Sequence, residues 1–192
     1  MDFEREYFEK HYASYENGPL FNILPEILIR EWGGTQTSVE LGSAYGYLIH
    51  NMRFRGAEAF GIEISKYARR KSKLSAGIVQ PPKEIFHSVK TGFGTGAMDW
   101  ALSFETLEHI EDHKIDWYIR ELKRITKKGF IGSIYLREGS ADETHITIKS
   151  REEWIDIFEM HGYSYNVIKT NSLMTYPIII DHELEMFWFD RG

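Results

Sequence analysis

Short apolar runs alternate with amphipathic stretches along most of this chain, and no other feature restricts its fold so tightly. Residues 37–41, 58–62, 84–89, 99–103 and 130–136 read as strands, and 47–54, 65–74 and 112–125 read as helices. A strand that returns parallel to its predecessor needs a long crossover, usually a helix. The alternation therefore predicts βαβ units and a largely parallel sheet with helices on both faces. Ahead of this pattern, residues 3–15 carry aromatics and charges at helical spacing, and Asn17, Gly18 and Pro19 read as a stop. Residues 20–32 give a second helix, with Pro25 placed in its first turn and Gly33 and Gly34 ending it. Residues 151–161 give one more helix. Two closing strands, 163–169 and 184–190, are joined by a connection containing Pro177 and form an antiparallel edge.

Composition removes several classes of protein. The 192 residues carry no repeat or linker-like tract, so residues 1–192 read as one domain, large enough to bury a core without staples. A formal net charge of −6 disfavours a nucleic-acid binder that works by bulk charge. The basic run Arg69, Arg70, Lys71 and Lys73 reads as a solvated helix face rather than an RNA-binding strip. With no cysteine there is no disulfide, no cysteine-based zinc site and no thiol nucleophile. No apolar run approaches the roughly 18 residues that span a bilayer, and the amino terminus is charged and aromatic, so a cytoplasmic protein is expected. Oligomeric state is not legible.

The stretch TSVELGSAYGYLIH at 37–50 locates the chemistry. It runs from the carboxyl end of the first strand into the next helix, where open α/β sheets bind ligands. Gly42 and Gly46 permit tight turning and close approach, Ala44 is the next smallest choice, and the helix start offers unpaired N–H groups. A dinucleotide fingerprint would place Gly at 42, 44 and 47; here the residues are Gly, Ala and Tyr, which weakens a nicotinamide reading. About 20 residues on, Glu63 ends the second strand, where such folds hydrogen-bond a ribose diol. Loop and acid together suggest an adenosine-type ligand. Without a ligand, the small residues would serve only a tight strand-to-helix crossing and Glu63 would be a solvated turn carboxylate.

VELGSAYGYL at 39–48, FGIEISKYA at 60–68 and MDWALSFETLEHIED at 98–112 resemble, in order and spacing, the class I S-adenosylmethionine-dependent methyltransferases. KKGFIGSIYL and THITIKSREEWIDIFEMHGY at 144–163 extend the resemblance over nearly the whole chain. It implies a Rossmann-like α/β fold with a seven-stranded, mostly parallel sheet of order 3-2-1-4-5-7-6, the seventh strand antiparallel. It also implies S-adenosylmethionine as methyl donor, leaving as S-adenosylhomocysteine. On this likeness Glu40 sits near the methionine amino group, and Gly42, Ser43, Ala44, Tyr45 and Gly46 line methionine and ribose. Glu63 takes the ribose hydroxyls and Ile64 packs on adenine. Ser103, Phe104 and Leu107 lie below the cofactor. Tyr12 and Tyr15 resemble a tyrosine segment that closes over cofactor and small substrate, making residues 1–18 a lid. The chain departs from the family pattern twice. Where relatives carry an acid that reads the adenine amine stand Phe86, His87 and Ser88, so His87 is counted with the cofactor residues. The loop 90–97 lacks the usual Pro-Phe pair.

On a helix, Glu105, Glu108 and His109 would share one face. Two carboxylates and an imidazole, completed by His145, are a plausible divalent-metal set. That arrangement resembles the metal site of small-RNA 2′-O-methyltransferases, while many metal-free small-molecule enzymes carry a similar L-E-H segment. The working expectation is therefore no metal, with His109 and His145 as candidate general bases, because a hydroxyl acceptor must lose its proton and histidine titrates near neutrality. Either histidine could instead order a loop through a backbone carbonyl. Such a base contributes typically ~10²–10⁴-fold, and alignment of acceptor, methyl and sulfur can supply roughly 7–11 kcal/mol. The polar segment 137–150 favours a hydroxylated, sugar-like or other polar small molecule as substrate, with methylation at oxygen. A membrane partner is not expected, nor is nucleic acid. A metal-dependent RNA enzyme and a silent cofactor-binding protein are the alternatives.

Overall fold

The computed structural model describes residues 5–12, 18–72, 78–79, 91–140 and 142–192. In chain order the elements are α1 (Arg5–His11), α2 (Leu20–Trp32), β1 (Thr37–Leu41), α3 (Tyr47–Phe54), β2 (Glu58–Ile62), α4 (Lys66–Lys71) and β3 (Ile78–Val79). They continue as β4 (Met98–Phe104), a 3₁₀ turn (Leu107–His109), α5 (Asp112–Ile125), β5 (Thr126–Ser133), α6 (Arg151–Met160), β6 (Tyr163–Tyr165), α7 (Val167–Leu173), α8 (Pro177–Asp181) and β7 (Met186–Arg191). The seven strands form one sheet in the order β3-β2-β1-β4-β5-β7-β6. β7 runs antiparallel to both its neighbours, and the pairings from β3 to β5 are parallel.

Side chains alternate across a strand, and the core divides accordingly. Val39, Leu41, Ala101, Phe130 and Phe189 face α5 and α6, packing with Ile115, Ile119, Leu122, Trp154 and Phe158. Trp100, Leu102, Ile131 and Trp188 face the other way, onto Leu24 and Leu28 of α2, Leu48 and Met52 of α3, and Ile179 of α8. α2, α3, α5 and α6 bury apolar positions three or four apart, as in the Ile115, Ile119, Leu122 series of α5. α6 opens with a reciprocal capping box in which Ser150 accepts from the Glu153 N–H and Glu153 accepts from the Ser150 N–H, an arrangement worth about 1 kcal/mol.

Several boundaries differ from the sequence reading. The strand expected at 84–89 lies outside the described residues; the strand beside β2 is Ile78–Val79. The run 163–169 splits, because the Asn166 side chain accepts from the Lys169 N–H and starts α7 after three strand residues. β5 begins at Thr126 and ends at Ser133 rather than spanning 130–136. Pro25 lies inside α2 rather than in its first turn, while Pro19 stands at the N-cap. Residues 105–109 form no α-helix. Glu105 adopts φ +47° and its N–H bonds the Ser133 carbonyl, so only a single 3₁₀ turn follows. Among the described residues no helix is long and apolar enough to cross a membrane.

Candidate functional site

The β1–α3 loop is pinned from below. The Gly42 N–H donates to the Ile62 carbonyl at 2.8 Å, and the Gly46 N–H to the Ser43 carbonyl at 2.7 Å. Gly42 has φ +72°, Ala44 φ +47° and Gly46 φ +77°, left-handed conformations that explain the small residues. The Glu63 carboxylate joins this loop to the next: Oε2 accepts from the Ala44 N–H and Oε1 from the Ser65 N–H, both at 2.7 Å. Burial pushes its pKa up against the pull of these two N–H groups and of Arg69. Glu40, one strand residue before Leu41, is buried with Oε2 unpartnered among the described residues. Burial, then repulsion from Glu63, lifts its pKa to about 8.

Above this loop opens a cleft of about 880 Å³, counting the open solvent at its mouth. Gly42, Ala44, Glu63 and Ile64 form one wall, and Glu105, Thr106 and His109 another. The residues Tyr7, Phe8 and Tyr12 of the amino-terminal segment border it as well. Phe8 is buried, its ring 5.3 Å from Tyr45, which fastens α1 onto the loop. A smaller hollow lies alongside, lined by Glu40, Ser43, Tyr45 and Phe104 together with Tyr12, Gly42 and Ala44, which it shares with the cleft.

Beside the cleft, the turn after β4 meets the segment 142–147. The Ile146 and Thr147 N–H groups both donate to the Glu108 carbonyl, at 3.0 and 2.9 Å. The His109 and His145 rings lie 4.6 Å apart, and Tyr135 packs on His145 at 4.5 Å. His109 Nδ1 is 3.1 Å from the Thr144 carbonyl oxygen and 2.8 Å from Thr144 Oγ1. Burial, then the neighbouring His145, lowers the His109 pKa to about 4, so the ring is neutral at pH 7. Burial also lowers His145. Glu108 is fully buried; burial and the Glu105 charge push its carboxyl well above the ordinary range, against a weaker pull from the backbone of Tyr135. Ligand atoms of Glu108, His109 and His145 all lie within 4.8 Å of one another.

The structure thus brings Tyr12, Glu40, Gly42, Ser43, Ala44, Tyr45, Glu63, Ile64 and Phe104 to the two hollows. Ser103 and Leu107 are not brought there. Ser103 is buried and donates to the Leu41 carbonyl, and Leu107 packs in the core facing α5. Gly46 caps the start of α3. His145 sits behind His109 rather than on the cleft wall, and Glu105 lies on the wall while Glu108 is behind it. Tyr15 and His87 lie outside the described residues. Arg69 is no simple solvated charge: it donates to the Glu63 and Ile64 carbonyls. Among the cleft residues that the sequence reading missed are Thr106, Ile110, Lys114, Tyr118 and Ile146. Thr106, Ile110 and Ile146 lie within the stretches that carry the family likeness, but nothing in their types marks them as lining residues, and they meet Lys114 and Tyr118 of α5 only through the fold.

Comparisons with known proteins agree on this architecture. A family model described as a methyltransferase domain matches residues 14–167. Among solved structures, an S-adenosylmethionine-dependent methyltransferase of Archaeoglobus fulgidus is 16% identical with a TM-score of 0.64, covering 82% of this chain and 73% of its own. A protein of Pyrococcus horikoshii is 13% identical at a TM-score of 0.66, with 85% and 92% covered. The 1,6-didemethyltoxoflavin-N1-methyltransferase of Burkholderia thailandensis, solved with its substrate and S-adenosylhomocysteine, is 10% identical at 0.64, with 96% and 83% covered. No curated protein matches. The β1–α3 loop at the carboxyl edge of the sheet, the cleft above it and the match across residues 14–167 together make this chain a member of the class I S-adenosylmethionine-dependent methyltransferases.

Proposed function

We propose that the protein transfers a methyl group from S-adenosylmethionine to an oxygen of a small polar or sugar-like metabolite in the cytoplasm, as a single domain whose amino-terminal segment acts as a lid. The observation that carries this reading is that His109 lines the same cleft as Gly42, Ala44 and Glu63. The residues fit the cofactor: the buried, unpartnered Glu40 oxygen suits an ammonium group, and Gly42 and Ala44 leave the loop backbone open to close approach. Glu63, with each oxygen already accepting one N–H, retains lone pairs for a ribose diol. Bound S-adenosylmethionine supplies an electrophilic methyl on a sulfonium. With that donor bound, His109, neutral at pH 7, would accept the acceptor's hydroxyl proton as the oxygen takes the methyl group. Tyr7, Phe8 and Tyr12 border the cleft with an aromatic edge, which suits a small acceptor better than a polymer.

The test is transfer of labelled methyl into a native cell extract separated into metabolites, RNA and protein. Label is expected in the metabolite fraction. His109→Ala is expected to slow that transfer roughly 10²–10⁴-fold, and a variant that keeps the native rate removes His109 from the chemistry. Binding of S-adenosylmethionine with no label in any fraction would mark a silent cofactor-binding protein.

A second reading is favoured by the convergence of Glu108, His109 and His145 within 4.8 Å. The Glu108 carboxyl oxygens and His145 Nδ1 have no hydrogen-bond partner among the described residues, and the donor set suits a divalent ion. Such an ion would lower the pKa of an acceptor hydroxyl, as in RNA 2′-O-methylation. Glu105 would then stand outside the converging set. Under the first reading a chelator leaves transfer unchanged, and Co²⁺ added to the protein gives no visible absorption. Label in RNA that vanishes with chelator, together with a Co²⁺ spectrum lost in Glu108→Gln, would establish the second.

A further inference from the structure

Thr144, the first residue of the stretch 144–163, and Asp142 just before it do not border the cleft, yet their hydrogen bonds converge on one ring nitrogen of His109. The Thr144 carbonyl, 3.1 Å from His109 Nδ1, can only accept, so Nδ1 carries the proton. The Thr144 hydroxyl, 2.8 Å from the same nitrogen, is then also an acceptor toward the ring. Its own proton has to go elsewhere, and Asp142 Oδ1 receives it at 2.5 Å. The same oxygen accepts the Thr144 N–H at 2.9 Å, which locks the carboxylate and the threonine into one turn. Although burial alone would raise Asp142, the two Thr144 hydrogen bonds hold its pKa low, so it is an ionised acceptor at neutral pH.

We infer that Thr144 and Asp142 are positioning residues that fix His109 as the Nδ1–H tautomer and hold the plane of its ring. The inference deepens the proposed function and rests on His109 being the group that takes the acceptor proton. In a neutral imidazole with its proton on Nδ1, Nε2 is the accepting nitrogen. A threonine bridge thus does here what a carboxylate bonded directly to the ring does in other sites: it selects the tautomer. His145 has no comparable arrangement. Its Nδ1 is unpartnered among the described residues, and its Nε2 lies 3.9 Å from Asp142, too far for a hydrogen bond. Among the two histidines only His109 is oriented by such a chain. Asp142 also lies 3.8 Å from His11 at the end of α1, so the turn that orders His109 abuts the segment covering the cleft.

Two measurements test this on the full-length protein. The first needs no methyl acceptor: long-range ¹H–¹⁵N spectra of protein labelled in histidine, with the His109 resonances assigned by their loss in His109→Gln. The Nδ1–H tautomer is expected, and finding the Nε2–H form overturns the inference. The second compares Thr144→Val with Thr144→Ser in the label-transfer assay. Valine keeps the shape and the carbonyl but removes the hydroxyl link, and is expected to slow transfer roughly tenfold or more at saturating S-adenosylmethionine, without changing its affinity. Serine keeps the hydroxyl and is expected to restore the native rate within about twofold. A serine variant as slow as valine overturns the bridge and assigns Thr144 to packing. If the native protein transfers no methyl at all, the functional reading fails, while the tautomer spectrum still decides the hydrogen-bond chain.

Discussion

Glu40→Gln is expected to make the ligand-free protein more stable at pH 7 while weakening its hold on S-adenosylmethionine. Glu40 is buried without a partner for Oε2 among the described residues, and burial lifts its folded pKa to about 8, against 4.5 for an ordinary glutamate. Between those two values the unfolded chain gives up a proton that the native protein keeps, so native stability falls as pH rises through that window. A neutral glutamine removes this dependence. The gain at pH 7 is on the order of 1–3 kcal/mol, which raises the melting temperature of a chain this size by roughly 3–10 °C. Binding moves the other way. An ammonium group beside Glu40 stabilises its ionised form, so native affinity should rise between about pH 6 and pH 8, the bound ligand pulling the proton off. The glutamine variant should bind at least about tenfold more weakly, with a flat pH profile. Thermal melts and calorimetric titrations across pH check both halves. Equal affinity in the two proteins would remove Glu40 from the cofactor site.

Gly42→Ala has the opposite effect on stability and a clear structural origin. Its φ of +72° disfavours any Cβ, and a Cβ built there falls 2.3 Å from Thr106 Oγ1 and 2.5 Å from Thr106 Cγ2. Thr106 cannot easily retreat, because its hydroxyl is held by the Phe104 carbonyl at 3.1 Å. The left-handed conformation costs roughly 1–2 kcal/mol, and the overlap adds on the order of 1–3 kcal/mol. Together they predict a melting temperature lower by roughly 5–15 °C and a cleft wall displaced at the β1–α3 loop. Thr106→Ala in the same chain clears both overlapping atoms and leaves the backbone strain, so the double variant should recover about half of the loss. Recovery is the informative outcome. If the second substitution restores nothing, the cost lies wholly in the backbone and the contact across the cleft floor is slack.

The alternation of apolar runs and amphipathic stretches was enough to read the parallel sheet, because a strand buried on both faces and a helix buried on one leave different spacings in a sequence. The ranges 37–41, 47–54, 58–62 and 112–125 are also those of β1, α3, β2 and α5. Reading failed where local hydrogen bonds overrode pattern. Asn166 turned an apolar run into α7, and the positive φ of Glu105 replaced an expected helix with a 3₁₀ turn. Helical spacing had put Glu105 beside Glu108 and His109 on one face. In the fold Glu105 falls outside the group, while His145, which the sequence had already set beside Glu108 and His109, joins them through the backbone bonds of Ile146 and Thr147 to the Glu108 carbonyl.

Chemistry divided along the same line. By itself the sequence determined the alternation of strands and helices, which depends on residue size and polarity at short, regular separations, and the family, through the likeness of 39–48, 60–68 and 98–112. Only the tertiary structure decided which side chains border the cleft, that Glu63 braces two loops through backbone N–H groups, that Glu40 is buried with Oε2 unpartnered among the described residues, and that Thr144 stands between His109 and Asp142. Those outcomes depend on distances of about 3 Å between residues as many as 35 positions apart, and on which groups are shut away from water. Burial and partner geometry set the pKa of a carboxylate or the tautomer of a ring, and neither is written in the spacing of residues along the chain.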